Sequence, residues 1–546
     1  MLTTTITAIT ILVLLGYILA SFDDFIFDII YMFKYKQLKP RTIVPSSIQW
    51  DEPRPLAIMI PAYGEAGVVG PMIKSTLELS NYPSSRVTFF VGVYPNDTAT
   101  VEEVYELSKT HPNVHCVVNS KAGPTNKSQN LNEVIKYIKL HEQETGKRFA
   151  AIAVHDAEDV IHPYTFKLYN TLLNQHAVVQ LPVFALFPKV NFWQRLITGT
   201  YIDEFAEHHL HHVPIREHLG MFVPSAGTGF AIRRDVVERM TEQGPLFNEK
   251  SLTEDYEMAL RMWQLGIKVH FHVQQVQRID ENGKLKDDFI AVREYFPSEI
   301  PAAIKQKGRW TYGITIQAPK LIDWSKLSFK DKFTLLRDQK GKFTNLIHII
   351  AYPLFFYAIL SAFLPLPHVE SKLVWILGFI VLGITLERLM MRFHSVKTIY
   401  GVREAMMATF FLPLFPIRWV LANYINMMAT FRAWRIHFWP NGFAKSKTPA
   451  KKGSTPKWDK TERKGYVSED ILNATRRRLG DNLLFYNDVE KKLIADLIQQ
   501  QRQARGDKKK LGEIMMDERL MSNAKLRKRL AEILNTKPSK LNLDEE

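Results

Sequence analysis

The chain has one cysteine in 546 residues, Cys116. No internal disulfide is available, which fits a chain whose bulk lies in a reducing compartment. Cys116 falls in an apolar run that predicts a strand, where inert packing is its expected role. Acidic charge is also short: 56 Asp and Glu stand against 71 Lys and Arg, a net charge of +15. Nor does any lysine or arginine precede the first apolar run, residues 2–20; Lys34, Lys36, Lys39 and Arg41 come after it. A cleaved signal peptide carries its positive charge ahead of its apolar core, so this order disfavours one, although Ile18-Leu-Ala20 keeps a faintly cleavage-like ending. A membrane anchor is favoured, with its N-terminus outside and residue 34 onward in the cytoplasm.

What the chain does have is apolar surface. Hydrophobic residues make up 46% of it, an unusual companion to so much positive charge. Such a chain either binds nucleic acid or sits in a membrane with its positive loops in the cytoplasm. Long apolar runs decide for the membrane and against a nucleic-acid partner. The length exceeds one ordinary domain. Composition divides it into an anchor (1–33), a long stretch with alternating patterns (50–320), transmembrane and interfacial helices (340–435), a Lys/Pro/Ser/Thr-rich linker (442–462) and a charged, helix-rich end (463–546). Further spans are predicted at 345–366 and 373–389, with Glu387 and Arg388 snorkelling to the interface. Residues 406–429 are apolar but broken by Pro413, Pro416 and Arg418. Lys445, Lys447, Lys451 and Lys452 place the C-terminal region inside. From an outside start an odd number of crossings is needed, so 406–429 should lie in the interface, re-enter, or cross as two short halves.

Strands are predicted at 56–60, 87–93, 114–118, 151–154 and 178–184, with helical patterns between them, for example at 70–79 and 129–140. That alternation indicates an α/β sheet with helices on its faces. Ligands of such sheets gather at the carboxyl ends of the strands. The strand 151–154 ends in Asp156, Glu158 and Asp159, which form either a polar turn or a seat for a hard divalent ion and a diphosphate. Ile60-Pro-Ala-Tyr-Gly-Glu65 and Val93-Tyr-Pro-Asn-Asp97 bring acids to the ends of two other strands. Lys127-Ser-Gln-Asn-Leu-Asn132 puts a lysine at a helix start, where cation and backbone N–H groups attract phosphate together. Thr253-Glu-Asp255 opens a helical pattern, with Thr253 as N-cap and the acids meeting the helix dipole. In Gln306-Lys-Gly-Arg-Trp310 a guanidinium suits phosphate and an indole suits a sugar face or the membrane interface.

Taken in order, these pieces resemble the inverting glycosyltransferases of family 2. The likeness is to the processive membrane branch of cellulose, hyaluronan and chitin synthases, and more closely to the inner-membrane transferase subunits of enterobacterial phage-receptor systems. The resemblance covers about 55–315 and the flanking membrane helices. It implies a GT-A domain between transmembrane helices, a UDP-sugar donor, a polysaccharide acceptor, Mg²⁺ or Mn²⁺, membrane lipid around the chain and an outer-membrane or periplasmic export partner. It assigns the nucleotide-sugar to Glu65, Asp97, Lys127, Asp156 and Arg309, the metal to Asp156 and Glu158, and the general base to Asp255. Gln306 and Trp310 would hold the acceptor, with Gly227 and Gly229 of Phe222-Val-Pro-Ser-Ala-Gly-Thr-Gly-Phe230 in the acceptor-side loop. Two departures stand out. Glu158 replaces an aspartate, leaving open whether Glu158 or Asp159 reaches the metal, and Gly64 stands where the family usually has Asn. His208, His209, His211, His212 and His218 follow an amphipathic pattern at 193–206, which predicts an interfacial or acceptor-lining helix ahead of a metal site.

Arg478-Leu-Gly-Asp-Asn-Leu-Leu484 recurs as Lys510-Leu-Gly-Glu-Ile-Met-Met516, with Ile494 matching Leu526 and Ile498 matching Leu530. An internal repeat predicts two similar units packing together. The motif resembles the MshEN domain of secretion ATPases. That likeness implies cyclic di-GMP as an allosteric activator, held by Arg478, Leu479, Gly480, Leu483, Leu484, Lys510, Leu511 and Gly512. Lys510 in place of a second arginine, and a missing glycine near Asn487, depart from the pattern. The alternative function is a non-catalytic membrane scaffold or phage-receptor subunit; it is disfavoured because Asp255 and the Gln-x-x-Arg-Trp motif persist although folding needs neither.

Overall fold

The computed structural model describes residues 2–44, 50–279, 285–367, 369, 371–410, 416–439, 467, 471, 483, 489, 491–503 and 510–533. Its central sheet is built from short apolar strands: β1 (Leu56–Pro61), β2 (Val87–Val93), β3 (Val114–Val118), β4 (Ala151–Val154), β5 (Val178–Gln180), β6 (Phe230–Arg233) and β7 (Val269–Phe271). Their order is β7-β5-β6-β4-β1-β2-β3. All pairs are parallel except those of β6, which runs antiparallel to β4 and β5 with Phe230 opposite Val154 and Gln180. Its reversed direction brings the loop that precedes it to the edge where β1, β2 and β4 end.

The helices in chain order are α1 (Leu2–Leu38), α2 (Val69–Leu79), α3 (Thr98–Thr110), α4 (Lys127–Thr145), α5 (Thr165–Leu172), α6 (Phe192–Glu207), α7 (Val213–His218), α8 (Arg234–Glu242) and α9 (Glu254–Gln264). Then come α10 (Ile300–Tyr312), α11 (Phe329–Gln339), α12 (Gly341–Thr344), α13 (His348–Ser361), α14 (Lys372–Tyr400), α15 (Val402–Thr409) and α16 (Ile417–Phe438). The period of two along β1 sends Ile58 and Ile60 to one face, under Val69, Met72, Val104 and Phe166 of α2, α3 and α5. Ala57 and Met59 go to the other face, under Leu131, Val134, Val237 and Met258 of α4, α8 and α9. Burial on both faces is why these strands read as continuous apolar runs.

Two expectations change. The strand predicted at 178–184 is two strands, because Pro182 has no N–H for the ladder. Val183–Ala185 instead joins a smaller sheet with Val160–Ile161 and Val292–Glu294. The pattern at 193–206 is no amphipathic surface helix. Along α6, Leu196 to Asp203 are buried, and the exposed apolar residues are Phe192 and Trp193 at its start.

Among the described residues, three helices are long and apolar enough to cross a membrane: Thr3–Leu38, Phe329–Ser361 and Lys372–Tyr400. Each runs further than its apolar stretch because charges at the end are paired inside the protein. Asp23 and Asp24 of α1 meet Arg337 at 2.9 and 2.5 Å and Lys340 at 2.6 and 2.8 Å. Arg388 does not snorkel outward; it reaches Glu207 at 2.5 Å and Asp28 at 3.4 Å. The stretch expected at 406–429 becomes α15 and α16; α16 is not itself a candidate span, and it lies along α10 and against the candidate span 329–361, where Asn423 donates to the Tyr352 hydroxyl.

Gly92 shows how tightly α4 is seated. Asn130 donates to its carbonyl at 2.9 Å, and a Cβ there would stand 2.1 Å from Asn130 Oδ1 and 2.7 Å from Val134 Cγ2. Gly92→Val should therefore cost about 1–3 kcal/mol by overpacking, read as a lower thermal midpoint of the detergent-solubilised chain; an unchanged midpoint would refute this seating.

Candidate active site

The carboxyl ends of β1, β2 and β4 lie on one edge of the sheet, and their turns bend toward each other. After β1, the Gly64 N–H donates to Asp97 Oδ2 at 2.5 Å, joining the first two acid-bearing turns. Glu65 is buried, and its N–H donates to Thr100 Oγ1 at 3.0 Å. Asp97 is the residue ahead of α3, as its place after β2 predicts.

Beyond β4 the chain turns so that three acids part company. Asp159 is fully buried, accepting from the Asp156 N–H at 3.0 Å and from the Thr228 hydroxyl, with His155 Nδ1 at 3.0 Å. Burial first, and then the Asp156 charge, push its carboxyl well above the usual range. Asp159 is thus the brace of the turn. Asp156 and Glu158 face outward and meet Glu294, at the end of Val292–Glu294, with one oxygen from each lying within 4.8 Å of the others. Geometry therefore selects Glu158 over Asp159 as the companion of Asp156. Three carboxylate oxygens are the donors that a hard divalent cation takes. Glu294 was missed from the sequence, although its signal was the same as for Asp156: an acid closing a short apolar strand.

Lys127 opens α4, whose N-cap Asn126 accepts from the Gln129 N–H. Its ammonium donates to Asp156 Oδ1 at 2.5 Å and to the Gly227 carbonyl at 3.0 Å. Burial opposes that charge, but Asp156, then Glu254 and Asp255, outweigh it and raise the lysine above its usual value. Gly227 and Gly229 have φ of +82° and +66°, which only glycine adopts freely. Gly227 also lies against Asp255, whose Oδ2 would be 3.1 Å from a Cβ there. One glycine thus takes Lys127 on its carbonyl, and a side chain there would crowd Asp255.

Asp255 sits in the first turn of α9. Burial, and then the neighbouring Glu254 charge, push its carboxyl up to about 7, with Lys127 pulling the other way. Thr253 occupies the N-cap position, yet its side chain caps nothing. It is buried against Gly313, and the Ser251 hydroxyl instead accepts its N–H at 3.2 Å.

Gln306, Arg309 and Trp310 are half-buried on α10. Gln306 Oε1 and Arg309 Nε are buried without a hydrogen-bond partner among the described residues. Trp310 sets its ring edge-on to Tyr201, at 6.3 Å. Lys307, inside the same motif, is fully committed to Glu204 and Asn426, and Gly308 gives way to Arg432 of α16.

The histidines form a buried turn between α6 and α7. His209 bonds the Val183 carbonyl at 2.7 Å, and His211 stacks on His394. Burial lowers the pKa of His208, His209, His211 and His212, so they are neutral packing groups; His211 and His212 meet the candidate spans through Tyr31, His394 and Phe27, while His209 packs on Phe271. Cys116 is half-buried in β3, its thiol pushed up to about 11 by burial, so it is unreactive as expected. In the C-terminal part Ile494 and Leu526 are buried in one small core with Leu483 and Met515, and Ile498 and Leu530 border it. Lys510 precedes the helix Leu511–Asp517, which holds Leu511 and a buried Gly512. Arg478, Leu479, Gly480 and Leu484 lie outside the described residues.

Residues 53–313 match the family described as "Glycosyltransferase like family 2". The chain is 34% identical over 456 residues to "Bacteriophage adsorption protein B" of Escherichia coli (strain K12), and equally to "Bacteriophage N4 adsorption protein B" of Escherichia coli O157:H7. These alignments take in 78% of this chain but 59% of each relative, so the chain spans well under two thirds of their length. Among solved structures, a mannosyltransferase from Pyrobaculum calidifontis in complex with GDP-Man and Mn²⁺ covers 79% of the chain at 13% identity and a TM-score of 0.45, with all of that structure aligned. TarS of S. aureus, residues 1–349 with UDP-GlcNAc, covers 75% at 10% identity and a TM-score of 0.33, again with its whole length aligned. With their order of acids, lysine and Gln-x-x-Arg-Trp intact on a mixed α/β sheet, residues 53–313 form a glycosyltransferase domain of family 2.

Proposed function

We propose that the chain is an inverting glycosyltransferase of the bacterial inner membrane that moves a hexose or N-acetylhexosamine from a UDP-sugar onto a growing exported polysaccharide. In this reading the catalytic and C-terminal parts face the cytoplasm. The observation that supports it is the setting of Gly227, which takes Lys127 on its carbonyl and leaves little room for a side chain beside Asp255: an anion-holding cation and a carboxyl pushed up to about 7 lie around one residue.

The chemistry needs one displacement. As the acceptor hydroxyl oxygen bonds to the anomeric carbon, its proton passes to Asp255, and the carbon–oxygen bond to the diphosphate breaks with its electron pair leaving on the nucleotide. Asp97 and Glu65 orient the nucleotide, and Lys127 and Arg309 stabilise charge on the departing diphosphate. Gln306 and Trp310 border the acceptor, and their helix supplies the unpartnered Gln306 Oε1 and Arg309 Nε for polar ligands. Asp156, Glu158 and Glu294 would hold Mg²⁺ or Mn²⁺, whose charge offsets that of the diphosphate.

Cyclic di-GMP is the proposed activator, through the repeat that places Ile494 and Leu526 in one core. The competing reading, a non-catalytic receptor subunit, takes its support from the names of the Escherichia coli relatives.

The full chain in detergent should release UDP from a panel of UDP-sugars only with Mn²⁺ or Mg²⁺ present, and Asp255→Asn should abolish release; full activity in that variant removes Asp255 from its role. Because Asp255 must be deprotonated to accept a proton, and burial raises it to about 7, turnover should climb as pH rises through neutrality. A rate constant flat between about pH 5.5 and 8.5 contradicts a base with that pKa. Calorimetry of the full chain with cyclic di-GMP should give heat that Arg478→Ala removes; no heat at high micromolar ligand rejects this activator.

A further inference from the structure

Asp338, in the cross-membrane candidate Phe329–Ser361, reaches into the catalytic domain. Its Oδ2 accepts from the Tyr256 hydroxyl at 2.9 Å and from Arg216 Nη1 at 3.1 Å, and its Oδ1 accepts from Arg216 Nη2. Arg216 is 2% exposed and Tyr256 4%, so this carboxylate is their shared anchor. Burial, and then the Asp338 charge, keep Tyr256 well above the ordinary tyrosine range, which fixes it as the donor.

The two anchored residues stand on the two elements that meet at the site. Tyr256 directly follows Asp255 at the start of α9. Arg216 lies on α7, and its carbonyl accepts from the Met221 N–H at 2.8 Å, at the head of the loop that runs to Gly227. Phe222 of that loop sets its ring edge-on to Tyr256 at 5.3 Å. One carboxylate therefore ties the base-bearing helix to the loop that packs on the base. The same helix turn is clamped to α1, through Arg337 and Lys340 on Asp23 and Asp24.

We propose that Asp338 is a positioning residue for the transfer reaction: from a membrane-crossing helix it sets how the Asp255 carboxylate is held against Gly227. This rests on Asp255 being the base. Both carboxylate oxygens of Asp338 are engaged by Arg216 and Tyr256, so donor affinity should not depend on it. What depends on it is the exclusion of water around Asp255, whose charged neighbours are Glu254 on its own helix and Lys127 on α4, with Asp156 bound to Lys127. Loosening α9 lets water reach the carboxyl, lowers its pKa and moves the acidic limb of the pH–rate profile to lower pH.

Tyr256→Phe is the primary test, because it removes one hydroxyl and leaves the Arg216–Asp338 pair in place. With the UDP-sugar of highest turnover in the panel above, on the full chain in nanodiscs, kcat should fall about fivefold or more, donor KM should stay within about twofold, and the acidic limb should move down. Asp338→Asn should give the same pattern, and adding Tyr256→Phe to it should cost little more. Wild-type kcat with an unmoved limb in Tyr256→Phe overturns the proposal. So does a joint loss of kcat and donor binding with the limb unmoved, which marks general loosening. If Asp255→Asn abolishes turnover while Tyr256→Phe behaves as wild type, only the positioning role falls; full activity in Asp255→Asn removes the base assignment itself.

Discussion

An ammonium and a carboxylate 2.5 Å apart at the edge of the sheet hold the candidate site together. Lys127 opens one helix, Asp156 ends one strand, and the same ammonium takes the carbonyl of a loop that returns along the only antiparallel strand of the main sheet among the described residues. Three distant pieces of sequence become one surface through that contact. The pair is partly sheltered, so its Coulomb energy is less screened than at an open surface. It also keeps a positive charge where an anionic leaving group would sit. In the proposed reaction the lysine would serve folding and chemistry with one set of contacts.

Much of this arrangement is legible in the sequence, and the reason is periodicity and strand ends. Buried parallel strands are continuous apolar runs, and the acids just past their ends break those runs with charge, so Asp97 and Asp156 stand out. Glu294 closes a strand only three residues long, in a sheet formed by distant segments. No local pattern announces that pairing. The choice between Glu158 and Asp159 was likewise closed to sequence reasoning, because both flank the same turn. In the fold Thr228 and His155 draw Asp159 inward, while Asp156 and Glu158 group with Glu294. Thr253 shows the opposite failure: the residue type suits an N-cap, but packing against Gly313 takes its side chain elsewhere.

The membrane-proximal charges behave in the same way. From composition, Arg388 at the end of an apolar stretch reads as a residue stretching toward water. In the fold, Asp23, Asp24, Asp28 and Glu207 converge on Arg337, Lys340, Arg388 and Arg392. Removing one partner of such a buried pair typically costs about 3–5 kcal/mol, because the survivor keeps its desolvation penalty. The catalytic domain and the long helices are therefore joined by matched ions, and neither side is a finished surface without the other. Charge patterns along a helix do not disclose this, since the partners lie on separate elements.

The Arg216–Asp338 pair also sets an order of events during synthesis. Its members are separated by 122 positions, so at about 5–20 residues per second the ribosome needs roughly 6–24 s to supply the second after the first. Over that interval the guanidinium of α7 lacks the carboxylate it binds in the fold, and the helix bearing Asp255 lacks its tether. The α/β domain can collapse around its sheet at once, but its last turn of packing waits for the emergence of a helix that arrives later. Completion of the site's packing in this sense depends on a segment made only after the domain that contains the site.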